Sequence, residues 1–276
     1  MNIKELFNVK DYAVIVTGGA SGIGLGYAEA LADNGARVTL LDMDAQRIEQ
    51  ETRRLTAAGL DVRGEVVDVT DHPALEAAFD NAVREYGKLD VVFANAGIDP
   101  GPGFASSWVG GEQQRNPEGE LENYTDERWG RVIDINLNGV FATLRAAARH
   151  MRPRKSGRII VTTSIASSKN EAVIGAAYMA SKAASAHLMR NVALELAAYN
   201  ITVNAIAPGF FVTNIGGGHA HDPEEQAMVS AAVPMHRVGF PDDMQGLALF
   251  LASPASSYIT GQEIAIDGGW NLGTAD

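Results

Sequence analysis

The chain has 276 residues, 46% of them hydrophobic and 20% charged, which allows a substantial core and is ordinary for a soluble globular protein. A net charge of −12 repels a phosphate backbone and argues against nucleic-acid binding, while the absence of cysteine removes disulfides, thiol catalysis and thiolate metal sites. No basic start leads into a long apolar run, and no uncharged apolar stretch reaches the ~20 residues of a membrane helix, so no signal peptide, no membrane association and a cytoplasmic location are expected.

Short apolar runs alternate with longer helical patterns. The runs are "YAVIVT" (12–17), "RVTLLD" (37–42), "DVRGEVVD" (61–68), "LDVVFANA" (89–96), "GRIIVTTS" (157–164), "ITVNAIA" (201–207) and "EIAID" (263–267). Most are rich in β-branched residues and read as strands covered on both faces. The segments between them repeat apolar residues every three or four positions and end near glycine, as helices do. This alternation predicts an α/β protein with a parallel sheet wrapped by helices, in one domain spanning 1–276. Two stretches break the rhythm after strand ends: an inserted loop at 99–120 and a loop at 209–240 expected to border the substrate.

The first strand runs into "TGGASGIGLG" (17–26), with Gly18, Gly22 and Gly24 at spacings of four and two. Glycine permits a sharp turn and close approach of backbone to a pyrophosphate, and the following helix offers its N-terminal N–H groups to the phosphates. Ser21 and Ile23 belong to the same turn. Asp42, at the end of the second strand and 18 residues after Gly24, stands where a carboxylate would hold an adenosine ribose. It would repel a 2′-phosphate, and no Arg or Lys immediately follows, so NAD rather than NADP is expected. Met43 shares that position, and Asp44 is expected to cap the next helix. Asp68 and Val69, after the third strand, are placed against the adenine. Asn95, Ala96 and Gly97, after the fourth, would let the backbone pass close to the cofactor.

Tyr178 and Lys182 lie four apart in "AAYMASKAASAHLMRNVALELA", which reads as a long helix, so they share a face. A free tyrosine has a pKa of about 10, and a nearby ammonium favours the phenolate. The pair suits proton exchange with an alcohol or a carbonyl. Ser164, closing the fifth strand, would steady charge on the substrate oxygen; Thr163 is the fallback but should point to the opposite face. Asn136 sits in an apolar helical stretch, where an internal water running to Lys182 would satisfy its amide. His219 and His221 invite a metal reading that lacks a third ligand, so no metal is expected. Trp129, Phe141, Met179 and Met189 read as core packing.

The motifs "TGGASGIG", "NAG", "NLNGVF", "TTSIAS", "YMASK" and "APGFFVT" together resemble the short-chain dehydrogenase/reductase family over nearly the whole chain, from about Val9 to about Leu272. The resemblance implies a doubly wound, Rossmann-type sheet of about seven strands in the order 3-2-1-4-5-6-7. It implies hydride transfer between a nicotinamide and a substrate carbon, a secondary alcohol or its ketone. Tyr178 would be the general acid/base, Lys182 its activator and a ribose contact, Ser164 the substrate-oxygen ligand and Asn136 the holder of a relay water. Pro208 and Gly209 would shape a turn over the nicotinamide, with Phe211 and Thr213 near its carboxamide. It also implies a homo-oligomer, a tetramer ahead of a dimer, built partly on the helices around 126–151 and 177–198. Two departures stand out: a Ser164–Tyr178 spacing one residue longer than the common pattern, and roughly 15 extra residues within 99–120. The extra residues would line the pocket, cover it or reach a neighbouring subunit. The competing readings are an NADPH-dependent 3-ketoacyl or carbonyl reductase, which Asp42 opposes, and a non-catalytic dinucleotide-binding sensor, which needs no Ser, Tyr and Lys together.

Overall fold

All seven runs form strands; the five inner ones bury side chains on both faces at once, while the two at the sheet edges are only partly covered. They are β1 (Ala13–Thr17), β2 (Arg37–Asp42), β3 (Val62–Val66), β4 (Val91–Ala94), β5 (Gly157–Thr162), β6 (Ile201–Pro208) and β7 (Glu263–Ile266). The computed structural model describes residues 2–99, 101–105 and 114–273. The strands pair in parallel in the order 3-2-1-4-5-6-7. Successive side chains alternate between two cores, as a period of two requires. Val14, Val16, Val91, Phe93 and Ile160 enter one core, and Ile15, Val92, Ala94, Ile159 and Val161 enter the other.

The helices are α1 (Ile3–Leu6), α2 (Gly22–Asp33), α3 (Ala45–Ala57), α4 (His72–Tyr86), α5 (Asp126–Ile133), α6 (Val140–Met151), α7 (Ala176–Leu196), α8 (Pro223–Ala232) and α9 (Asp242–Ala252). Apolar residues of α2, α3 and α9 fill the first core, and those of α4, α6 and α7 the second, which makes the sheet doubly wound. Local chemistry sets their limits. Asp44 accepts the Arg47 N–H at 3.0 Å and caps α3 as expected, and α4 stops at Gly87 in the left-handed conformation, φ 73°. Among the described residues no helix is long and apolar enough to cross a membrane.

Strand order reverses between β1 and its neighbours β2 and β4, which opens a crevice beyond the carboxyl ends of those strands. The two loops that break the rhythm both reach it. The ends of the 99–120 insertion are fastened together by Asn116 N–H to Phe104 O at 2.9 Å. They are fastened to the 167–175 loop by Gly103 N–H to Val173 O at 2.8 Å and Ala105 N–H to Ala172 O at 3.0 Å. Arg128 braces this base by donating to Pro102 O and Glu118 O, each at 2.8 Å. Trp108, Val109 and Gln113 of the insertion lie outside the described residues.

One expectation about packing is corrected. Trp129 and Phe141 are not core residues: they stand 42% and 46% exposed on α5 and α6, while Met189 is buried as expected. Trp129 packs edge-on against Tyr124 and Phe141 lies under the Arg145 guanidinium, yet among the described residues both rings stay partly uncovered.

Candidate active site

The crevice has a volume of about 760 Å³. Its floor is the turn between β1 and α2, and each glycine there has its own reason. Gly18 and Gly22 take left-handed conformations, φ 63° and 54°. A Cβ on Gly24 would stand 2.1 Å from the Gly18 carbonyl oxygen and 2.5 Å from Asn95 Nδ2, so only glycine lets α2 start this close to the turn. Gly18, Ser21, Gly22 and Ile23 line the crevice, whereas Gly24 supports it from behind. The backbone cradle, the positive end of α2 and the length of the crevice fit a dinucleotide.

Asp42, Met43, Asp68 and Val69 line the adenosine end. Asp42 accepts the Ala20 N–H at 3.2 Å and the Asp44 N–H at 3.1 Å, which orients its carboxylate toward the turn. Arg47 lines the same end and was not singled out from sequence. It stands in the first turn of α3, paired with Asp44 at 3.2 Å. Asn95, Ala96 and Gly97 also line the crevice, but Asn95 does more than let the backbone pass. Its Nδ2 donates to Thr17 O and Gly18 O at 3.1 Å each, and its Oδ1 accepts from Thr162 Oγ1 at 3.0 Å. The side chain therefore ties the glycine turn to the end of β5. Pro208, Gly209, Phe211 and Thr213 form the opposite wall.

Ser164, Tyr178 and Lys182 meet on one wall of this crevice. The helical spacing brings Lys182 Nζ to 5.5 Å from the Tyr178 ring centre, and Nζ donates to Thr162 O at 2.9 Å. The Ser164 hydroxyl acts on the phenol in the direction that favours its ionised form. Thr163 does not serve as a substitute, because its hydroxyl donates to Ile206 O at 3.1 Å. Burial pushes Lys182 down to about 8, with the Asp99 carboxylate acting the other way. The expected lowering of the phenol pKa is not found. Desolvation holds Tyr178 well above its ordinary value, Asp99 adds to this, and the Ser164 hydroxyl only partly offsets them.

Asn136 lies behind the crevice, 1% exposed, within a π-helical stretch (Asp134–Gly139) between α5 and α6. Its amide is satisfied differently from the expectation of a water running to Lys182. Oδ1 accepts the Ile98 N–H and Nδ2 donates to Ile98 O, both at 2.8 Å, with a further contact to Ser181 Oγ at 3.3 Å. The amide thus acts as a two-point clamp on the chain leaving β4. The π-helical turn is the local irregularity that aims it there.

The loop after β6 carries His219, whose Nδ1 pairs with Glu225 at 2.8 Å. Among the described residues no group of three or more His, Cys, Asp or Glu side chains is arranged for a metal. Asp99, the first residue of the insertion, lines the crevice and was missed as a site residue. Its position directly after "NAGI", at a strand's carboxyl end, was the available signal.

A crevice at a topological switch point, floored by a glycine turn and walled by a phenol, an ammonium and a hydroxyl, defines an oxidoreductase that binds a nicotinamide dinucleotide. The comparisons agree: the chain belongs to the short-chain dehydrogenase/reductase family. Residues 18–271 match the family model described as enoyl-(acyl carrier protein) reductase. The chain is 33% identical to 5-keto-D-gluconate 5-reductase of Escherichia coli (strain K12), over 97% of this chain and 98% of that one. It is 36% identical to cis-4-hydroxycyclohexanecarboxylate dehydrogenase of Sinomonas cyclohexanicum, over 93% and 95%. The crystal structure of a gluconate 5-dehydrogenase from Burkholderia cenocepacia J2315, in complex with NADP and tartrate, superposes with a TM-score of 0.87 at 30% identity, covering 99% of this chain and 100% of that one.

Proposed function

We propose that this protein transfers hydride between NAD(H) and a secondary alcohol or its ketone, with Tyr178 as general acid/base. The observation that carries this reading is the convergence of Ser164, Tyr178 and Lys182 on one wall of the glycine-floored crevice. The bound nicotinamide supplies or accepts the hydride. Tyr178 gives a proton to the carbonyl oxygen in reduction and takes it from the hydroxyl in oxidation. Ser164 donates a hydrogen bond to the oxygen as it gains charge. Lys182 supplies positive charge behind the phenol and would help hold the ribose of a bound cofactor, and Asn136 keeps the β4 exit in place. The test is to offer NAD and NADP with a panel of secondary alcohols and follow reduction of the nicotinamide. Production of the reduced cofactor from none of them would remove the proposal.

Two charged groups bear on the cofactor. Asp42 opposes a 2′-phosphate and supports NAD. Arg47 at the same end, together with NADP in the Burkholderia cenocepacia structure, supports the rival NADPH-dependent reductase. The Arg47–Asp44 pair leaves the guanidinium partly neutralised, which favours NAD. Asp42→Ala should shift the NAD:NADP ratio of kcat/KM toward NADP by about 10-fold or more, equivalent to one close charge interaction. An unchanged strong preference for NAD would refute the assigned role.

We further propose a single-domain subunit that assembles as a homotetramer. Exposed Trp129, Phe141 and Leu194 on α5, α6 and α7 support this, since they present apolar surface on the helices expected at the interface. Light scattering should return a tetramer mass; a monomer at micromolar concentration would reject the assembly.

A further inference from the structure

Asp99 lines the crevice together with Ser164, Tyr178 and Lys182. It follows Ile98, which Asn136 clamps, so the backbone at this point is fixed. Two residues earlier, a Cβ built on Gly97 would lie 3.5 Å from Lys182 Nζ. The Asp99 charge is felt at both Tyr178 and Lys182. Burial pushes the Asp99 pKa up, and the Gly101 backbone N–H acts the other way. The Asp99 Oδ1 is sealed from bulk solvent and has no hydrogen-bond partner among the described residues.

None of the hydrogen bonds made by the charged neighbours that face it goes to its carboxylate. Lys182 donates to Thr162 O, Arg128 donates to Pro102 O and Glu118 O, and His219 Nδ1 is paired with Glu225. A buried carboxylate oxygen with an unmade hydrogen bond is costly, and a donor brought by a ligand removes the cost. The same charge repels any carboxylate brought near it.

We propose that Asp99 is a substrate-specificity residue that accepts a hydrogen bond from a second substrate hydroxyl, selecting neutral diols and polyols, or their hydroxyketones, over mono-alcohols and over hydroxy acids. This deepens the hydride-transfer reading and rests on it. It also separates this chain from relatives whose names specify anionic substrates, 5-keto-D-gluconate and cis-4-hydroxycyclohexanecarboxylate.

The experiment compares neutral vicinal diols of increasing size, each against the mono-alcohol of the same carbon skeleton, with gluconate as the anionic probe. For the unmodified protein the diol should exceed its mono-alcohol in kcat/KM by about 100-fold or more, as expected where a site is built to pair a hydroxyl. Asp99→Ala should reduce that ratio to within a few-fold, because activity on the diol falls much further than activity on the mono-alcohol. Asp99→Asn, which keeps the shape and an acceptor but not the charge, should retain part of the diol preference and gain activity on gluconate. Equal use of diol and mono-alcohol by the unmodified protein, a ratio unchanged in Asp99→Ala, or gluconate as the best unmodified substrate would each overturn the proposal.

A calorimetric titration of the same probes into the protein–NADH complex separates the two readings. If no probe is turned over, hydride transfer on these alcohols fails. Asp99 is then judged by binding alone. Diol binding that is lost in Asp99→Ala upholds its role, and no diol binding, or binding indifferent to Asp99→Ala, overturns it. Thermal midpoints near that of the unmodified protein confirm that each variant is folded.

Discussion

Tyr178→Phe is expected to lower the rate of alcohol oxidation by about a thousand-fold or more, within the range that a positioned acid/base contributes. It should leave NADH affinity within a few-fold. The substitution removes one oxygen and keeps the ring that packs beside Lys182. The group left behind, the Ser164 hydroxyl, still donates or accepts locally, since its oxygen accepts the Ala166 N–H at 3.2 Å. The fold therefore has little to lose, and the loss should fall on kcat. The raised phenol pKa adds a direction. In ketone reduction the protonated phenol is the working form, and it is already the stable one at neutral pH. In oxidation the phenol must first yield its proton, so the oxidative rate should rise with pH over a range where the reductive rate does not. Steady-state kinetics in both directions, with NADH fluorescence titration of the variant, check all three statements. Full activity in Tyr178→Phe would remove Tyr178 from the mechanism.

Much of this architecture was legible in the sequence because the fold imposes patterns that are local. A strand covered on both faces must be a short continuous apolar run, and the five inner strands are such runs; the two edge strands were legible from their place in the strand–helix alternation. A turn that brings backbone against backbone needs glycine at fixed offsets, and the Gly18–Gly22–Gly24 spacing recorded that need. A shared helical face needs a spacing of four, which placed Tyr178 beside Lys182.

What escaped the sequence depends on contacts between distant segments. Arg47 looks like an ordinary first-turn residue of α3 until the end of β2 sets it at the rim of the crevice. Asn136 could be read as a buried amide in need of partners, but only the folded chain shows that Ile98 supplies both. The periodicity around Trp129 and Phe141 identifies an apolar face without saying whether this chain or another molecule covers it. The phenol pKa failed for a related reason. The ammonium four residues away was visible, but the desolvation and the Asp99 carboxylate that outweigh it belong to the tertiary structure.

Lys182→Met should abolish most of the activity and yet stabilise the ligand-free protein at pH 7. Lys182 is 4% exposed, and burial is the larger cause of its depression from the ordinary 10.5 to about 8. A depressed lysine marks a native state that pays for holding the charge. A shift of this size corresponds to roughly 3 kcal/mol at the conversion for one pKa unit. Methionine has a similar length and no charge to desolvate, but it gives up the charge-assisted hydrogen bond to Thr162 O, a loss of about 2 kcal/mol. The net gain should be roughly 1 kcal/mol, or about 2 °C or more in Tm for a chain of this size. The sign with pH follows from proton binding. Below pH 8 the amine is charged in both the folded and unfolded states, and the native protein bears the full cost. Between 8 and 10.5 the native state has released its proton and the unfolded state has not, so the stability of the unmodified protein rises with pH through that window. Above 10.5 both are neutral, and the advantage of methionine should have disappeared. Thermal denaturation of both proteins at pH 7 and pH 10 measures this directly. A variant that is less stable at pH 7, or whose advantage stays constant as the pH rises, would show that Lys182 is not held under strain by its surroundings. The stability then regained at alkaline pH by the unmodified protein would have to come from another group.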